Sequence, residues 1–296
     1  MKIAVMGAGA VGCFFGALLA KAGHEVMLIG RPAHVEAIRA GGLLLEWTGR
    51  SERVVLGAST DPAELTGAEL VLVCVKSGAT EEAGARMAPY LAPEAMIVSL
   101  QNGVGNAQRL TRMLERPVFP AAVYVAVDMA GAGHVRHHGR GELVIGSAPR
   151  VEELAMLLGE AGIPTTVSDE VEVALWSKLV LNCAYNALSA IARQPYGQLL
   201  EAEGVPALIR SVLRECMAVA AANGVYLPEE LADEILALGR TMPGQFSSTA
   251  QDLIRGRATE IDYLNGYIVQ AGAEHGIAAP VNQALTTIVK LLERGA

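Results

Sequence analysis

Short apolar segments alternate with amphipathic segments through the first half of the chain. The apolar segments show little internal polar alternation, which is typical of parallel strands buried on both faces of a sheet. They predict strands at residues 3–6, 25–29, 70–75, 96–100, 118–127 and 165–167. The amphipathic segments predict helices at residues 10–22, 33–40, 80–90, 106–114 and 152–161. The pattern therefore predicts a mostly parallel sheet with helices on both faces.

Two further segments of this half predict hairpins. Residues 43–47 and 53–56 flank the turn-forming tripeptide Thr48-Gly49-Arg50. Residues 131–146 contain two β-like runs around a turn rich in glycine and histidine. We expect the first to be an insertion and the second to lie at the end of the sheet.

Strand patterns stop after Asp169. The rest of the chain predicts helices at residues 170–192, 205–223, 228–239, 247–256 and 260–275, and a last one from residue 281, separated by glycine and proline. The boundary falls near residues 168–170. The sequence thus predicts an α/β domain over residues 1–169 and an all-α domain over residues 170–296.

Composition narrows the class of protein. A length of 296 residues suits two domains of ordinary size, and a net charge of -8 argues against a nucleic-acid or anionic-membrane surface. The four cysteines form no C-x-x-C pair and lie among apolar residues, which indicates reduced, buried thiols. The N-terminus shows no signal-peptide pattern. We therefore expect a soluble, cytoplasmic protein whose partner is a small molecule.

The segment Gly7-Ala8-Gly9-Ala10-Val11-Gly12 is a G-x-G-x-x-G turn between the first predicted strand and helix. The first glycine permits the tight turn, the second lets backbone approach a pyrophosphate, and the third lets the helix pack close to the sheet. The first amides of the helix then face the anion. Between a strand and a helix, this motif indicates a dinucleotide site.

Two basic residues follow predicted strands. Arg31 lies nineteen positions beyond Gly12, where NAD-binding proteins carry an acid for the ribose 2′-hydroxyl. A guanidinium suits a 2′-phosphate instead, and Lys76, after another strand, can join it. The alternative is a solvated charge at each strand end. The pair favours NADP.

Gln101-Asn102-Gly103-Val104-Gly105 closes a further predicted strand at the same edge of the sheet. The Asn102 carboxamide is placed to orient a nicotinamide or a substrate, and Gly103 leaves the backbone open to a ligand. Asn-Gly is also a common turn pair, which is the structural alternative.

The apolar segment at residues 173–192 carries three polar residues at helical spacing. Lys178, Asn182 and Asn186 follow the spacing i, i+4, i+8 and share one face of a helix. Burying each amide without a partner costs about 2–7 kcal/mol. The three must therefore join a structural hydrogen-bond network or line a ligand cavity. They also make a membrane span a poor interpretation.

Two helix starts near the C-terminus carry candidate groups. Thr259-Glu260-Ile261-Asp262 predicts a capping box, with Thr259 as N-cap of the penultimate helix and Glu260 at its first helical position. Ser247-Ser248 opens the helix before it. Capping alone accounts for both, because a helix dipole also favours a carboxylate at this position.

Taken in order along the chain, these motifs resemble the ketopantoate reductase family. The residues that carry the resemblance are Gly7-Ala8-Gly9-Ala10-Val11-Gly12, Arg31, Lys76, Gln101-Asn102-Gly103, Trp176-Ser177-Lys178, Asn182, Asn186, Ser247-Ser248 and Thr259-Glu260-Ile261-Asp262. The resemblance covers almost the whole chain. It implies a Rossmann-type α/β domain joined to an all-α domain, a 6-phosphogluconate-dehydrogenase-like fold. It also implies NADPH-dependent reduction of 2-dehydropantoate to (R)-pantoate, on the route to pantothenate and coenzyme A.

The resemblance implies a role for each candidate residue. Lys178 becomes the proton donor with Glu260 beside it, and Asn102 lies near the nicotinamide and the substrate. Hydride transfer to a ketone leaves negative charge on oxygen, and a positioned ammonium meets that requirement. The remaining implied ligands are Asn182, Asn186 and Ser248 for the pantoate hydroxyls and carboxylate, and Arg31 and Lys76 for the 2′-phosphate.

One departure leaves the substrate open. Family members often carry an asparagine where this chain has Tyr196, and Asn-Pro-Leu-Thr-Ala is familiar where Asn186 begins Asn-Ala-Leu-Ser-Ala. The Tyr196 hydroxyl can still donate a hydrogen bond. Another branched or aromatic 2-oxo acid is therefore the alternative substrate.

Other classes fit less well. A β-hydroxyacid dehydrogenase has a comparable two-domain plan, but its Gly-Leu-Gly-x-Met-Gly turn and Ser-Gly-Gly loop are absent from the sequence. A non-catalytic NADP sensor has no need of Lys178 and Glu260. His134, His137 and His138 predict a solvated loop and not a metal site. A homodimer through the helical domain is left open.

Overall fold

The computed structural model describes residues 1–295. The chain divides into two compact units, Met1–Val171 and the segment from Glu172 onward. The strands of the first unit are β1 (Lys2–Met6), β2 (Glu25–Ile29), β3 (Leu43–Trp47), β4 (Arg50–Val54), β5 (Gly57–Ser59), β6 (Leu70–Val73), β7 (Met96–Ser99), β8 (Phe119–Gly131), β9 (His134–Gly146) and β10 (Thr165–Ser168). Its α-helices are α1 (Ala10–Lys21), α2 (Pro32–Gly41), α3 (Thr80–Met87), α4 (Asn106–Leu114) and α5 (Val151–Glu160).

The strands form one ten-stranded sheet in the order β4-β3-β9-β8-β7-β6-β1-β2-β5, with β10 beside β9. The run from β5 to β8 is parallel throughout. Neighbouring residues of one strand enter different cores, since Val5 packs on one face of the sheet and Ala4 on the other. Both faces are therefore covered, which confirms the predicted α/β architecture.

The prediction of a hairpin within residues 131–146 is wrong. That segment is almost entirely one strand, β9, which pairs antiparallel with β8 around a turn at Ala132-Gly133. Gly141 (φ +152°) lies where the pairing register shifts, between the pairs Val125–Arg140 and Tyr124–Glu142. A glycine that suggests a turn in the sequence thus forms a bulge inside a strand.

Smaller differences concern short elements. β3 and β4 form the predicted hairpin, but β4 begins at Arg50 and the turn is shorter than expected. The three-residue strand β5 carries no detectable pattern of its own, and it exists because it extends the sheet beside β2. Such a strand depends on its neighbour more than on its own residues.

The regular elements described after Val171 are all helical. They are α6 (Val171–Ala192), α7 (Tyr196–Glu201), α8 (Val205–Ala222), α9 (Leu231–Thr241), α10 (Ser248–Ile254), α11 (Asn265–Glu274) and α12 (Pro280–Glu293), with a 3₁₀ turn at Ile261–Tyr263. The sequence pattern does not predict α7, and it predicts one continuous helix where the structure has the 3₁₀ turn followed by α11. Leu264, at φ −113° and ψ −103°, interrupts the helix between them. Within residues 1–295, no helix has both the length and the apolar character needed to cross a membrane.

Candidate active site

The glycine turn joins β1 to α1 with the packing that its three glycines predict. A side chain on Gly7 (φ +119°) would place its Cβ 2.7 Å from the Cys74 carbonyl carbon, and one on Gly12 would place it 2.1 Å from the Gly7 carbonyl oxygen. A Cβ on Gly9 would meet nothing within 4 Å. Gly7 and Gly12 are thus required by the fold, whereas Gly9 leaves open space beside the first turn of α1, where the amides of Ala10, Val11 and Gly12 have no helical acceptors.

The end of β2 is bonded directly to this turn. The amides of Gly7 and Ala8 both donate to the Ile29 carbonyl, at 2.9 Å and 3.0 Å. A Cβ on Gly30 would lie 2.4 Å from the Ala8 Cβ, so the two backbones are in close contact. Arg31 follows at once, exposed and extended, as N-cap of α2. Arg31 therefore lies two residues after Ile29, whose carbonyl is bonded to the glycine turn.

Lys76 stands at the next strand end. The Cys74 amide donates to the Met6 carbonyl at 2.8 Å, which joins the end of β6 to the end of β1. The exposed Lys76 follows as N-cap of a 3₁₀ turn at Ser77–Ala79. Arg31 and Lys76 therefore emerge on either side of the strand that leads into the glycine turn.

A buried polar network holds the loop that carries Asn102. The Asn102 carbonyl accepts from Ser77 Oγ at 3.0 Å and from Asn106 Nδ2 at 2.8 Å. Thr80 Oγ1 donates to Asn106 Oδ1 at 3.2 Å and accepts from Gln101 Nε2 at 2.8 Å. The network fixes the backbone on both sides of Asn102 and joins the loops after β6 and β7. The sequence patterns do not predict Ser77, Thr80 and Asn106 as site residues, since their only sequence signal is their polarity near two strand ends.

In the second unit, α6 carries Lys178, Asn182 and Asn186 along one face, as predicted. Lys178 and Asn182 are partly exposed, while Asn186 is 2% exposed. Asn186 Nδ2 donates to Ser248 Oγ at 3.4 Å, which brings two predicted substrate ligands together. Among residues of this unit, the face thus continues from α6 onto the start of α10.

Two buried serines hold that junction. Ser247 Oγ donates to the Asn186 carbonyl at 3.1 Å and accepts from the Ala250 amide at 3.0 Å, so Ser247 caps α10. The Ser247 amide donates to Ser189 Oγ at 3.2 Å. The predicted capping role is confirmed for Ser247, and the neighbouring Ser248 is exposed. Ser189 was not singled out in the sequence.

The predicted capping box at Thr259 is wrong. Glu260 is the N-cap of the 3₁₀ turn at Ile261–Tyr263, not the first residue of α11. Thr259 Oγ1 accepts from the Ile261 amide at 3.2 Å, but Asp262 does not return to the Thr259 amide. That amide donates to Glu293 Oε1 at 2.7 Å, and Asp262 binds Lys290. Carboxylate and ammonium groups from α12 have replaced the local cap.

Two contacts join α6 to the start of α11, the helix that follows the Glu260 segment. Asn265, the first residue of α11, donates through Nδ2 to the Cys183 carbonyl at 3.1 Å. The rings of Trp176 and Tyr267 meet edge to face with centroids 5.8 Å apart. Trp176 and Cys183 lie on either side of Lys178 in the sequence of α6. The start of α11 therefore packs on the turns of α6 that carry the lysine.

Tyr196, the departure from the family pattern, begins α7 and stacks on Tyr185 of α6 with ring centroids 4.5 Å apart. Burial, and then the neighbouring Tyr185, raises the pKa of Tyr196. Tyr185 Oη donates to the Ile235 carbonyl at 3.0 Å. A hydrogen bond from Tyr196 to a substrate stays a prediction.

The three histidines of the predicted loop lie on β9, so the loop assignment is wrong. His134 Nε2 lies 2.6 Å from a Glu46 carboxylate oxygen, and His138 Nε2 lies 2.7 Å from Asp128 Oδ1. His137 stacks on Phe14 at 4.6 Å. Residues 1–295 contain no group of three or more His, Cys, Asp or Glu side chains arranged to hold a metal ion.

The cysteines are unpaired thiols, of which Cys13, Cys183 and Cys216 are buried and Cys74 is only partly buried. Burial raises the pKa of the Cys13 thiol to about 12. A thiol with so high a pKa is a poor nucleophile. We therefore assign Cys13 a packing role.

The fold and these residues define a pyridine-nucleotide-dependent oxidoreductase with a Rossmann-type domain and a helical domain. The family model described as ketopantoate reductase PanE/ApbA matches residues 3–150, and the model of the C-terminal part of that family matches residues 170–293. The chain belongs to the ketopantoate reductase family, which confirms the resemblance found in the sequence.

Individual relatives agree over their full length. The 2-dehydropantoate 2-reductase of Pyrococcus horikoshii is 32% identical over 99% of this chain and 98% of its own. A crystal structure of a PanE/ApbA family ketopantoate reductase from Ralstonia eutropha JMP134 is 55% identical, with a TM-score of 0.97 and coverage of 100% and 99%. D-mandelate dehydrogenase, in a ternary structure with NADH and anilino(oxo)acetate, is 26% identical, with a TM-score of 0.94 and coverage of 100% and 99%.

Proposed function

We propose that this enzyme reduces 2-dehydropantoate to (R)-pantoate with NADPH, in pantothenate and coenzyme A biosynthesis. The observation that carries the proposal is the likeness to enzymes named 2-dehydropantoate 2-reductase, at 32% to 33% identity over 99% of this chain. The local geometry of each unit supports it.

The residues of the first unit fit a phosphorylated dinucleotide. Open space at Gly9 lets a pyrophosphate approach the amides of Ala10, Val11 and Gly12. Arg31 and Lys76, emerging beside the same turn, offer charge-assisted hydrogen bonds to a 2′-phosphate. Asn102 sits on the rigid loop after β7 and orients the nicotinamide or the substrate. When bound, NADPH supplies the hydride.

The residues of the second unit fit a 2-oxo acid that carries a hydroxyl. The Lys178 ammonium donates a proton to the ketone oxygen as negative charge develops there. Glu260 orients the substrate and the lysine. Asn182, Asn186 and Ser248 bind the carboxylate and the distal hydroxyl, because amides and hydroxyls both donate and accept. This division of roles assigns proton transfer, and the substrate contacts other than that of Asn102, to side chains of the second unit.

A panel of 2-oxo acids tests the substrate. Purified enzyme with NADPH should give its highest kcat/KM with 2-dehydropantoate, ahead of an aromatic acid such as phenylglyoxylate. A site built to bind a substrate hydroxyl rejects an analogue that lacks it, because its polar groups are then left unpaired. A preference for phenylglyoxylate would instead support the aromatic alternative, which the likeness to D-mandelate dehydrogenase raises. Absence of turnover with every 2-oxo acid would support the other alternative, a non-catalytic NADP sensor.

Asn182→Ala should weaken binding of the 2-oxo acid without weakening binding of NADPH. We expect the KM for 2-dehydropantoate to rise about 10- to 100-fold, as one lost hydrogen bond to a charged group costs about 1.5–3 kcal/mol. The Kd for NADPH, from fluorescence titration, should change by less than about threefold, since distant sites are usually additive. Ser211→Ala, on α8 of the same unit, is the matched control and should change neither. A comparable loss of NADPH affinity would place Asn182 against the nucleotide.

The state of the enzyme in the cell is part of the proposal. We place it in the cytoplasm with no nucleic-acid partner, in keeping with the net charge of -8. The oligomeric state is open between a monomer and a homodimer through the helical unit, and light scattering after gel filtration decides between them.

A further inference from the structure

We infer that the last turn of α12 positions Glu260, so that Glu293 and Lys290 act in catalysis through that carboxylate. The inference rests on the role that the proposed function gives to Glu260. Glu293 Oε1 accepts from the Thr259 amide at 2.7 Å. Lys290 Nζ donates to both carboxylate oxygens of Asp262, at 2.8 Å and 3.0 Å. The two α12 side chains therefore hold the chain one residue before and two residues after Glu260.

The segment around Glu260 has little regular structure to hold it in place. Glu260 has φ −105° and ψ 22°, outside the α-helix, and the 3₁₀ turn that follows spans only Ile261–Tyr263. The break at Leu264 separates that turn from α11. One backbone bond closes over Glu260, from the Tyr263 amide to its carbonyl at 2.9 Å. Contacts from α12 to Thr259 and Asp262 therefore help to hold the backbone on both sides of Glu260.

The other end of α12 is fastened to the rest of the unit. The Glu215 carboxylate of α8 accepts from the amides of Val281 and Asn282, at 2.9 Å and 3.0 Å, and from Asn282 Nδ2 at 2.8 Å. Asn282 Oδ1 accepts from Asn265 Nδ2 at 2.9 Å, and Asn265 also donates to the Cys183 carbonyl of α6. The helix is therefore a rigid connection from the lysine-bearing α6 to the segment that carries Glu260.

The two contacts differ in strength. Lys290 and Asp262 have exposed side chains, at 47% and 55%, and exposed ion pairs contribute little. The hydrogen bond that Lys290 donates to Asp262 raises the pKa of Lys290. Glu293 is partly buried and binds a backbone amide, a charge-assisted bond. Glu293 is thus the principal positioning residue.

A double-mutant cycle tests the inference. Glu293→Ala should lower kcat with 2-dehydropantoate about 3- to 10-fold, since a misplaced catalytic group costs rate without direct contact. The KM for NADPH should change by less than about twofold, as expected for distant sites. Glu293→Gln, which keeps an acceptor oxygen, should restore most of kcat. In a Glu260→Ala background, Glu293→Ala should have no further effect, because the group that it positions is gone. Gln283→Ala, on the same helix but bonded to Thr287, is the matched control.

Each outcome separates this inference from the proposed function. If Glu260→Ala leaves kcat unchanged, the proposed role of Glu260 fails and the inference with it. If Glu260→Ala lowers kcat but Glu293→Ala does not, or if the two losses multiply in the double variant, the inference alone is overturned. Should Glu293→Ala fail to fold by circular dichroism, Lys290→Ala takes its place in the cycle, with an expected loss of about twofold, in line with an exposed pair.

Discussion

Replacing Lys178 with alanine should lower kcat by about 10²- to 10⁴-fold, the usual contribution of a general acid. Hydride transfer makes the ketone oxygen an alkoxide, and Lys178 is the cation that α6 presents on the face with Asn182 and Asn186. Its loss removes both the proton and the charge that stabilises the transition state. Steady-state oxidation of NADPH with saturating 2-dehydropantoate measures the effect.

Two further variants isolate the chemistry. Lys178→Arg should not restore kcat, because a guanidinium holds its proton too tightly to donate near neutral pH. Glu260→Ala should lower kcat less than Lys178→Ala, since the proposal gives Glu260 an orienting role and assigns proton donation to Lys178. The Kd for NADPH should stay unchanged in all three variants. Lys178 and Glu260 belong to the helical unit, whereas the glycine turn belongs to the other unit. A Lys178→Ala enzyme with near-normal kcat would make Lys178 a member of a structural network only.

Replacing Arg31 with alanine should raise the KM for NADPH about 10- to 100-fold, as expected for loss of a charge-assisted bond worth about 1.5–3 kcal/mol. The KM for NADH should stay nearly unchanged, because NADH has no 2′-phosphate. Arg31 is exposed and follows β2, whose Ile29 carbonyl accepts from two amides of the glycine turn.

The control for Arg31 is another exposed arginine of the same unit. Arg50→Ala removes a guanidinium that stacks on Trp47, at 4.3 Å from the ring centroid. This variant should leave the KM for NADPH and the KM for NADH unchanged. Equal use of NADPH and NADH by the unmodified enzyme would contradict the preference. It would also indicate that Arg31 is a solvated helix cap.

Local signals gave the parts of the fold that depend on local causes. The glycine turn is one, because the need for Gly7 and Gly12 arises from backbone contacts within the β1–α1 unit and its neighbouring strand. The polar face of α6 is another, since helical spacing alone brings Lys178, Asn182 and Asn186 together. Strand β5 and the bulge at Gly141 depend on partners distant in the sequence. No pattern within either segment specifies those partners.

The candidate site divides in the same way. The residue types expected to contact ligands stand out as polar groups in apolar surroundings, as Lys178 does. The residues that hold them do not. The sequence around Thr259 matches a capping box. The Thr259 amide nevertheless donates to Glu293 Oε1, far along the chain, at 2.7 Å. Ser77 and Asn106 likewise meet at Asn102 only because β6 and β7 are neighbours in the sheet.

Product formation by the unmodified enzyme tests the central claim most directly. With 2-dehydropantoate and NADPH, chiral chromatography with mass detection should show one (R)-pantoate formed for each NADPH oxidised. This result requires hydride delivery, proton donation and substrate orientation in one experiment. NADPH binding without pantoate formation would contradict the claim, as would oxidation of NADPH only with other 2-oxo acids.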